Sequence, residues 1–324
     1  MPELPEVEVV RRGLADHASG RTIHRAIVYD RRSVRRHPGE MEAFEAALYG
    51  TRLGNIVRRG KYLWFEIPSG LPDQLPQAAL VAHLGMSGQF LVKSTKDRRE
   101  PHLKVSLALD PLDQQPNVVR FLDQRIFGGL FISPLVPTHD GARGGLGTDL
   151  ALIPDSVAHI GRDVLDPIFD GPHLLSLLDG KYSAIKRVLL DQSVVSGIGN
   201  IYADEALWRA KIHYLRPANA LQRKQVFALA QALTDVMGEA LEAGGTSFDS
   251  LYVNVNGASG YFQSFLHSYK KEGQPCVRCE TLIRREPFIN RSSYFCPKCQ
   301  PKPRKRRKVH SESQREDLSL LLRP

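Results

Sequence analysis

The chain has 324 residues, of which 42% are apolar and 24% charged, which excludes a disordered polar chain and leaves room for two or three domains with their own cores. No apolar run approaches the roughly 20 residues of a membrane span, and the first residues lack the apolar core of a secretory signal, so an intracellular protein is expected. The net charge of +9 is uneven, because residues 263–324 hold fifteen basic and six acidic residues and the remainder is neutral. A basic block on a neutral body predicts a polyanionic partner, most often nucleic acid, with a solvated tail as the plainer alternative.

In chain order, residues 3–17 place Leu4, Val7, Val10, Leu14 and Ala15 at helical spacing, with Gly20 as a stop. Strand patterns follow at Ile23–Tyr29, Arg52–Arg58 and Tyr62–Ile67, with a short helix at Glu40–Leu48 between the first two. Further strands are expected at Leu80–Leu84, Gly88–Val92, Lys104–Leu109, Asn117–Asp123 and Gly129–Ser133. Strands of this number and length predict a sandwich. The glycine-rich stretch after Pro137 reads as a linker, 137–158. Helical patterns then run over Pro172–Leu178, Ser183–Leu190, Ile201–Ala210 and Leu221–Ala243.

The four cysteines lie together near the end, as Cys276-x2-Cys279, sixteen residues, then Cys296-x2-Cys299. Each pair places two thiolates on a tight turn, and two such turns across a hairpin close a tetrahedral cage for one structural zinc. Two disulfides are the alternative, disfavoured in an intracellular chain. Arg284, Arg285 and Arg291 lie between the pairs, so the hairpin presents arginines.

Chemistry is also written at the start, Met1-Pro2-Glu3-Leu4-Pro5-Glu6. Removal of Met1 leaves a secondary amine on Pro2, and an α-amine with a pKa of roughly 8 is a usable nucleophile near neutral pH. Glu3 beside it is placed to act as a general acid. An ordinary helix start is the bland reading of the same residues. Lys61, in Arg59-Gly60-Lys61-Tyr62, sits at a turn into a strand, where it either contacts a phosphate or simply begins the strand. Two glycine-punctuated turns, His83–Gly88 and Arg125–Gly129, expose Met86, Arg125 and Phe127, either as unanticipated core or as wedges for a base stack. Gly197-Ile198-Gly199-Asn200 joins two helices, and its helix-start amides with Asn200 would suit a phosphate oxygen; a plain turn is the alternative.

Taken together, M-P-E-L-P-E-V-E, R-R-G-K-Y-L, H-L-G-M-S-G, D-Q-R-I-F-G, G-I-G-N-I-Y-A-D-E-A-L and the finger ending C-P-K-C-Q resemble the formamidopyrimidine-DNA glycosylases and their endonuclease VIII-like relatives. The resemblance spans Pro2 to Gln300. It implies an α+β multidomain fold. Residues 1–136 would form a helix and β-sandwich, 159–262 a helix-two-turn-helix domain with a lesion-recognition loop at 245–262, 263–300 a zinc-finger hairpin, and 301–324 a basic tail. It further implies a monomeric bifunctional DNA glycosylase/AP lyase of base excision repair. Pro2 would be the Schiff-base nucleophile and Glu3 the proton donor. Lys61 and Arg291 would serve as phosphate contacts and proton donors. Met86, His102, Arg125, Phe127 and Asn200 would contact DNA, Glu6 would shape the pocket, and Cys276, Cys279, Cys296 and Cys299 would hold one Zn2+. The partner would be double-stranded DNA bearing oxidised purines or abasic sites, and the location the cytoplasm, at the nucleoid.

Leu4 and the Met86/Arg125/Phe127 set favour the oxidised-purine branch over the pyrimidine-directed endonuclease VIII-like branch. A DNA-binding protein without catalysis is the third possibility, although Pro2, Glu3 and Lys61 are all present. Ile126 departs from the family pattern, which has a second basic or polar residue there. The run Pro301–Val309 has six cations in nine residues and resembles a nuclear localisation signal. In a four-cysteine form of bacterial type it reads better as a salt-sensitive DNA tether.

Overall fold

The computed structural model describes residues 2–71, 74–112, 115–246, 255 and 260–303. Helix α1 runs Leu4–Ala18 and buries Leu4, Val7, Val10, Leu14 and Ala18 at helical spacing. Pro5 is tolerated in its first turn, where no intrahelical partner exists for the missing N–H. Glu6 and Glu8 are also buried, against the amphipathic pattern, and both prove to be held by partners.

Two five-stranded antiparallel sheets form the first body. One is ordered β2(Thr51–Arg52), β1(Thr22–Val28), β7(Leu103–Leu109), β8(Val118–Asp123), β6(Gly88–Lys93). The other is ordered β10(Leu152–Pro154), β9(Gly129–Pro137), β5(Ala78–His83), β4(Tyr62–Ile67), β3(Ile56–Arg59). Between them lie Ile23, Leu63, Phe65, Leu80, Phe90, Leu107 and Phe121, joined by α1 residues Val7, Val10 and Leu14 and by Phe44 of helix α2(Met41–Leu48). Alternation sends Trp64 to the opposite face of the second sheet, where Val57, Val81, Phe131 and Ile160 cover it.

Two expectations from sequence need correction. Arg52–Arg58 is not one strand. Thr51 and Arg52 pair with β1, whereas Ile56–Arg59 pair with β4 in the other sheet. Gly54 makes the crossing, since a Cβ there would lie 3.1 Å from the Glu66 carbonyl oxygen. The stretch 137–158, read as a linker, contains β10, paired with Leu135–Pro137. Its glycines serve close approach: a Cβ on Gly144 would lie 1.8 Å from the Leu152 carbonyl oxygen.

The second body comprises α3(Gly171–Leu178), α4(Ile185–Leu189), α5(Asn200–Arg209) and α6(Arg223–Glu242). Its core includes Leu174, Leu189, Ile198, Tyr202, Leu229, Leu233 and Met237. Leu4 of α1 and Phe288 and Phe295 of the terminal hairpin belong to the same core. That hairpin pairs β11(Arg284–Phe288) with β12(Arg291–Phe295). Helix α1 therefore bridges the two bodies, Leu4 in one core and Val7 onward in the other. Among the described residues no helix is long and apolar enough to cross a membrane.

Candidate active site

The chain start and the head of α5 meet at Glu3. Its carboxylate accepts from the backbone amides of Gly199 (2.8 Å), Ile201 (3.0 Å) and Tyr202 (3.4 Å). These are the helix-start amides that the sequence suggested would suit a phosphate oxygen, with a plain turn as the alternative; the protein's own carboxyl occupies them. The contact requires glycine, because a Cβ on Gly199 would lie 2.2 Å from Glu3 Cδ. Gly197, at φ +89°, likewise leaves room for Leu4, and its carbonyl accepts from the Leu4 amide at 3.1 Å. Gly199→Ala is therefore expected to displace Glu3 and lower turnover by roughly 100-fold without loss of helical circular dichroism. Turnover within a fewfold of the parent would show that the amide cradle does not matter.

Glu3 is 2% exposed. Burial raises its pKa above the ordinary 4.5, nearby Lys61 pulls it down, and Glu6 pushes it up again. Glu6 accepts from the Glu3 amide (2.8 Å), the Tyr202 hydroxyl (2.6 Å), and the amide (2.8 Å) and hydroxyl (2.9 Å) of Thr246. Pro2 is buried beside Glu3.

Lys61 reaches the same place from the first body. Gly60 and Lys61 form the two-residue turn between β3 and β4, with Gly60 at φ 59° as such turns require. The tip is fixed to the second body: Asp163 accepts from the Gly60 amide (2.8 Å) and from Arg58 Nη1 (2.7 Å), while Arg58 Nε donates to Glu8 (2.9 Å). Arg58 and Glu8 are fully buried, so each charge depends on its partners. Lys61 Nζ donates to the Ile198 carbonyl at 2.8 Å. Desolvation lowers its pKa, Glu3 opposes that, and Arg291 adds to it. Arg291, exposed at the start of β12, lies near enough for its charge to bear on Lys61. Asn200, the first residue of α5, turns to this strand and donates to the Ser292 carbonyl at 3.1 Å.

A second group lies at the same ends of the strands as the Gly60–Lys61 turn, since Tyr62 pairs with His83 and His83 with Gly129. Met86 is 37% and Phe127 50% exposed. Their turns interlock, since a Cβ on Gly85 would lie 2.4 Å from the Gly128 amide nitrogen. Asp123, closing β8, orders both turns: it accepts from Ser87 Oγ (2.6 Å), the Arg125 amide (3.2 Å) and the Gly128 amide (2.7 Å). His102 is exposed at φ 63°, and its carbonyl accepts from the Asp123 amide at 3.0 Å. Sequence reasoning missed Asp123 and Asp163; an aspartate just before a glycine-rich turn was the available signal for the first.

The cysteine cage fits zinc. All four Sγ atoms lie within 4.8 Å of one another, with Cys279–Cys296 at 3.4 Å and Cys279–Cys299 at 3.5 Å. A tetrahedron with metal–sulfur bonds of about 2.3 Å has edges of about 3.8 Å. The site holds one structural zinc, and the free-cysteine geometry shows no disulfide among the four.

Fold and site together define a zinc-finger protein in which the chain start, a hairpin tip and the finger meet at the head of α5. Family models match the N-terminal domain of formamidopyrimidine-DNA glycosylase over residues 1–130, its H2TH domain over 160–251, and the zinc finger found in FPG and IleRS over 273–302. Formamidopyrimidine-DNA glycosylase of Leifsonia xyli is 52% identical over 300 residues, covering 93% of this chain and 99% of the relative. That of Mycobacterium ulcerans is 52% identical, covering 94% and 100%. Among solved structures, the Lactococcus lactis Fpg complex with abasic-site DNA superposes with a TM-score of 0.76 at 29% identity, covering 93% and 100%. MutM (Fpg) of Thermus thermophilus gives 0.73 at 31%, covering 94% and 100%. The chain belongs to the formamidopyrimidine-DNA glycosylase family.

Proposed function

We infer that the chain is a DNA glycosylase of base excision repair with AP lyase activity, acting on oxidised purines such as 8-oxoguanine and formamidopyrimidines. The observation that carries the reading is the buried Glu3, its pKa raised by desolvation, adjacent to Pro2 and facing Lys61. A base inside a duplex is out of reach, so the nucleotide is flipped out. With Met1 removed, the Pro2 nitrogen attacks C1′, forming a C–N bond as the glycosidic bond breaks, and the base leaves with the proton that the amine gives up. Glu3, its pKa raised by burial, gives a proton to the ring oxygen as the sugar opens, leaving an iminium. The iminium acidifies the neighbouring C–H; β- and then δ-elimination expel the 3′ and 5′ phosphates. The product is a one-nucleotide gap.

Lys61 and Arg291 hold phosphates flanking the flipped nucleotide, and Asn200 supports the strand that carries Arg291 through the Ser292 carbonyl. Met86, Arg125 and Phe127 fill the vacated stack, with Arg125 reading the orphaned cytosine, and His102 meets the backbone. Glu6, held by Tyr202 and Thr246, shapes the base pocket; most of the recognition loop 245–262 and the tail from 304 lie outside the described residues. The working units are 1–136, 159–262 and 263–300, in a monomer. Its relatives are bacterial, which supports a cytoplasmic, nucleoid-associated enzyme.

Borohydride trapping on a duplex with 8-oxoguanine opposite cytosine tests this. The expected result is a reduced enzyme–DNA cross-link mapping to residue 2, with free base released. Cross-linking only to an oxidised pyrimidine would move the protein to the endonuclease VIII-like branch. No cross-link with any lesion would overturn the chemistry.

A further inference from the structure

The turn Gln124–Gly128 carries Arg125 and Phe127, with the Arg125 guanidinium carbon 5.2 Å from the Phe127 ring centre. Its own sequence does not favour its shape. Ile126 stands at φ 56°, a left-handed conformation that β-branched residues rarely adopt. A turn that must push into a stacked duplex therefore needs restraint from outside.

Half of that restraint is the strand end already described, where Asp123 and Ser87 take the amides of Arg125 and Gly128. The other half is one side chain. Arg35 Nη1 donates to the carbonyls of Ile126 (3.3 Å) and Gly128 (3.0 Å), and Nη2 donates to that of Phe127 (3.1 Å). Three successive carbonyls thus converge on one planar fork. Nη1 also donates to the Arg32 carbonyl at 2.6 Å, which fixes the guanidinium on its own turn. That turn, Arg31–Val34, is capped by Asp30 and lies against β9, where a Cβ on Gly129 would fall 2.6 Å from the Ser33 carbonyl oxygen.

The geometry points to Arg35 as a positioning residue for the duplex wedge: by clamping the carbonyl side of the turn it presets Arg125 and Phe127, and so sets selectivity for the base opposite the lesion without touching that base. The inference rests on the wedge role of Arg125 and Phe127 given above. A phosphate-binding arginine would turn its donors outward; these are turned onto the protein. Lysine cannot reproduce the clamp, having a point charge in place of a planar fork.

The test compares the full chain with Arg35→Ala and Arg35→Lys. The first readout is insertion itself: 2-aminopurine placed opposite a stable abasic analogue brightens when the wedge enters and unstacks it. Both variants are expected to lose most of that signal at saturating protein. The second readout is the ratio of kcat/KM for 8-oxoguanine opposite cytosine and opposite adenine. It is expected to narrow by roughly tenfold or more in both variants, while cleavage of a single-stranded abasic oligonucleotide, which has no orphan base, stays within about twofold. Full 2-aminopurine signal in both variants would overturn the inference. So would complete rescue by lysine with only the salt dependence changed, since that marks a phosphate contact, or an equal fall on single-stranded substrate, since that marks general structural damage. Should the parent excise no base at all, the proposed function fails, and the 2-aminopurine comparison still decides the role of Arg35.

Discussion

Glu3→Gln is expected to lower base excision by roughly 100- to 10,000-fold, the range of a lost general acid, and to flatten the pH profile of what remains. Glutamine keeps the size and has no proton to give to the opening sugar. The proposed acid role needs the protonated carboxyl, whose pKa burial lifts above the ordinary 4.5. Activity should therefore persist above that pH and fall as pH rises through the raised value. Stability should move the same way. A carboxyl with a raised folded pKa stabilises the fold fully below its unfolded pKa and loses that contribution as pH climbs through the folded one. Glutamine does not titrate, so the Tm of the variant relative to the parent should improve between pH 4 and pH 8. Single-turnover excision and calorimetry at the two pH values check both. Excision within tenfold of the parent would remove Glu3 from the role of acid; an unchanged Tm difference would show that its burial carries no proton linkage.

Zinc removal, or Cys296→Ala, is expected to abolish strand cleavage while leaving the two larger bodies folded. Structural zinc contributes on the order of 10–16 kcal/mol of apparent binding free energy to a finger, more than a short hairpin can replace. The loss reaches the site because the hairpin carries Arg291, and because its backbone is bonded to the second body. Ser292 accepts from Asn200 and from the buried Lys186, which is paired with Asp204 at 2.7 Å. The structure supplies its own reporter. Trp208 packs on Cys276, Ile283 and Cys296, with the Arg278 guanidinium carbon 3.8 Å from its ring centre and the His267 ring stacked at 4.7 Å. Chelation should release one equivalent of zinc and red-shift Trp208 emission, while Trp64, inside the first body, keeps its blue emission. Emission that does not move as zinc leaves would mean that the finger stays docked without metal.

The cysteine cage was legible in the sequence because it is local: the spacing of Cys276, Cys279, Cys296 and Cys299 is written along the chain, as is the adjacency of Pro2 and Glu3. The helices of the second body were legible from periodicity to within a residue or two at most ends. What failed was knowing a partner. Strand residues do lie at both ends of 52–58, yet nothing in the sequence says that the two ends join different sheets. The amides after Gly197 were rightly seen as an anion cradle, but the occupant proved to be Glu3. Glycines at 144, 145 and 147 looked like flexible linker because composition cannot distinguish freedom from tight contact. Arg35 was invisible for the same reason: its partners, carbonyls 126–128, lie about ninety residues away, at separations of 91 to 93.

The bridging position of α1 has a consequence in time. Glu3 is held by Gly199 and Glu6 by Thr246, residues 196 and 240 positions later. At a synthesis rate of roughly 5–20 residues per second, some 10–40 s pass before the first of those partners exists. Through that interval Glu3 and Glu6 lack those partners, and the terminus stays open to the aminopeptidase whose removal of Met1 the role proposed for Pro2 requires. Afterwards it is enclosed, with Glu3 2% and Leu4 0% exposed. On the role proposed for Pro2, a nascent chain matures its amine first and gains the surroundings that make it reactive last, so an unfinished copy on the ribosome carries the amine but not the means to break a DNA strand.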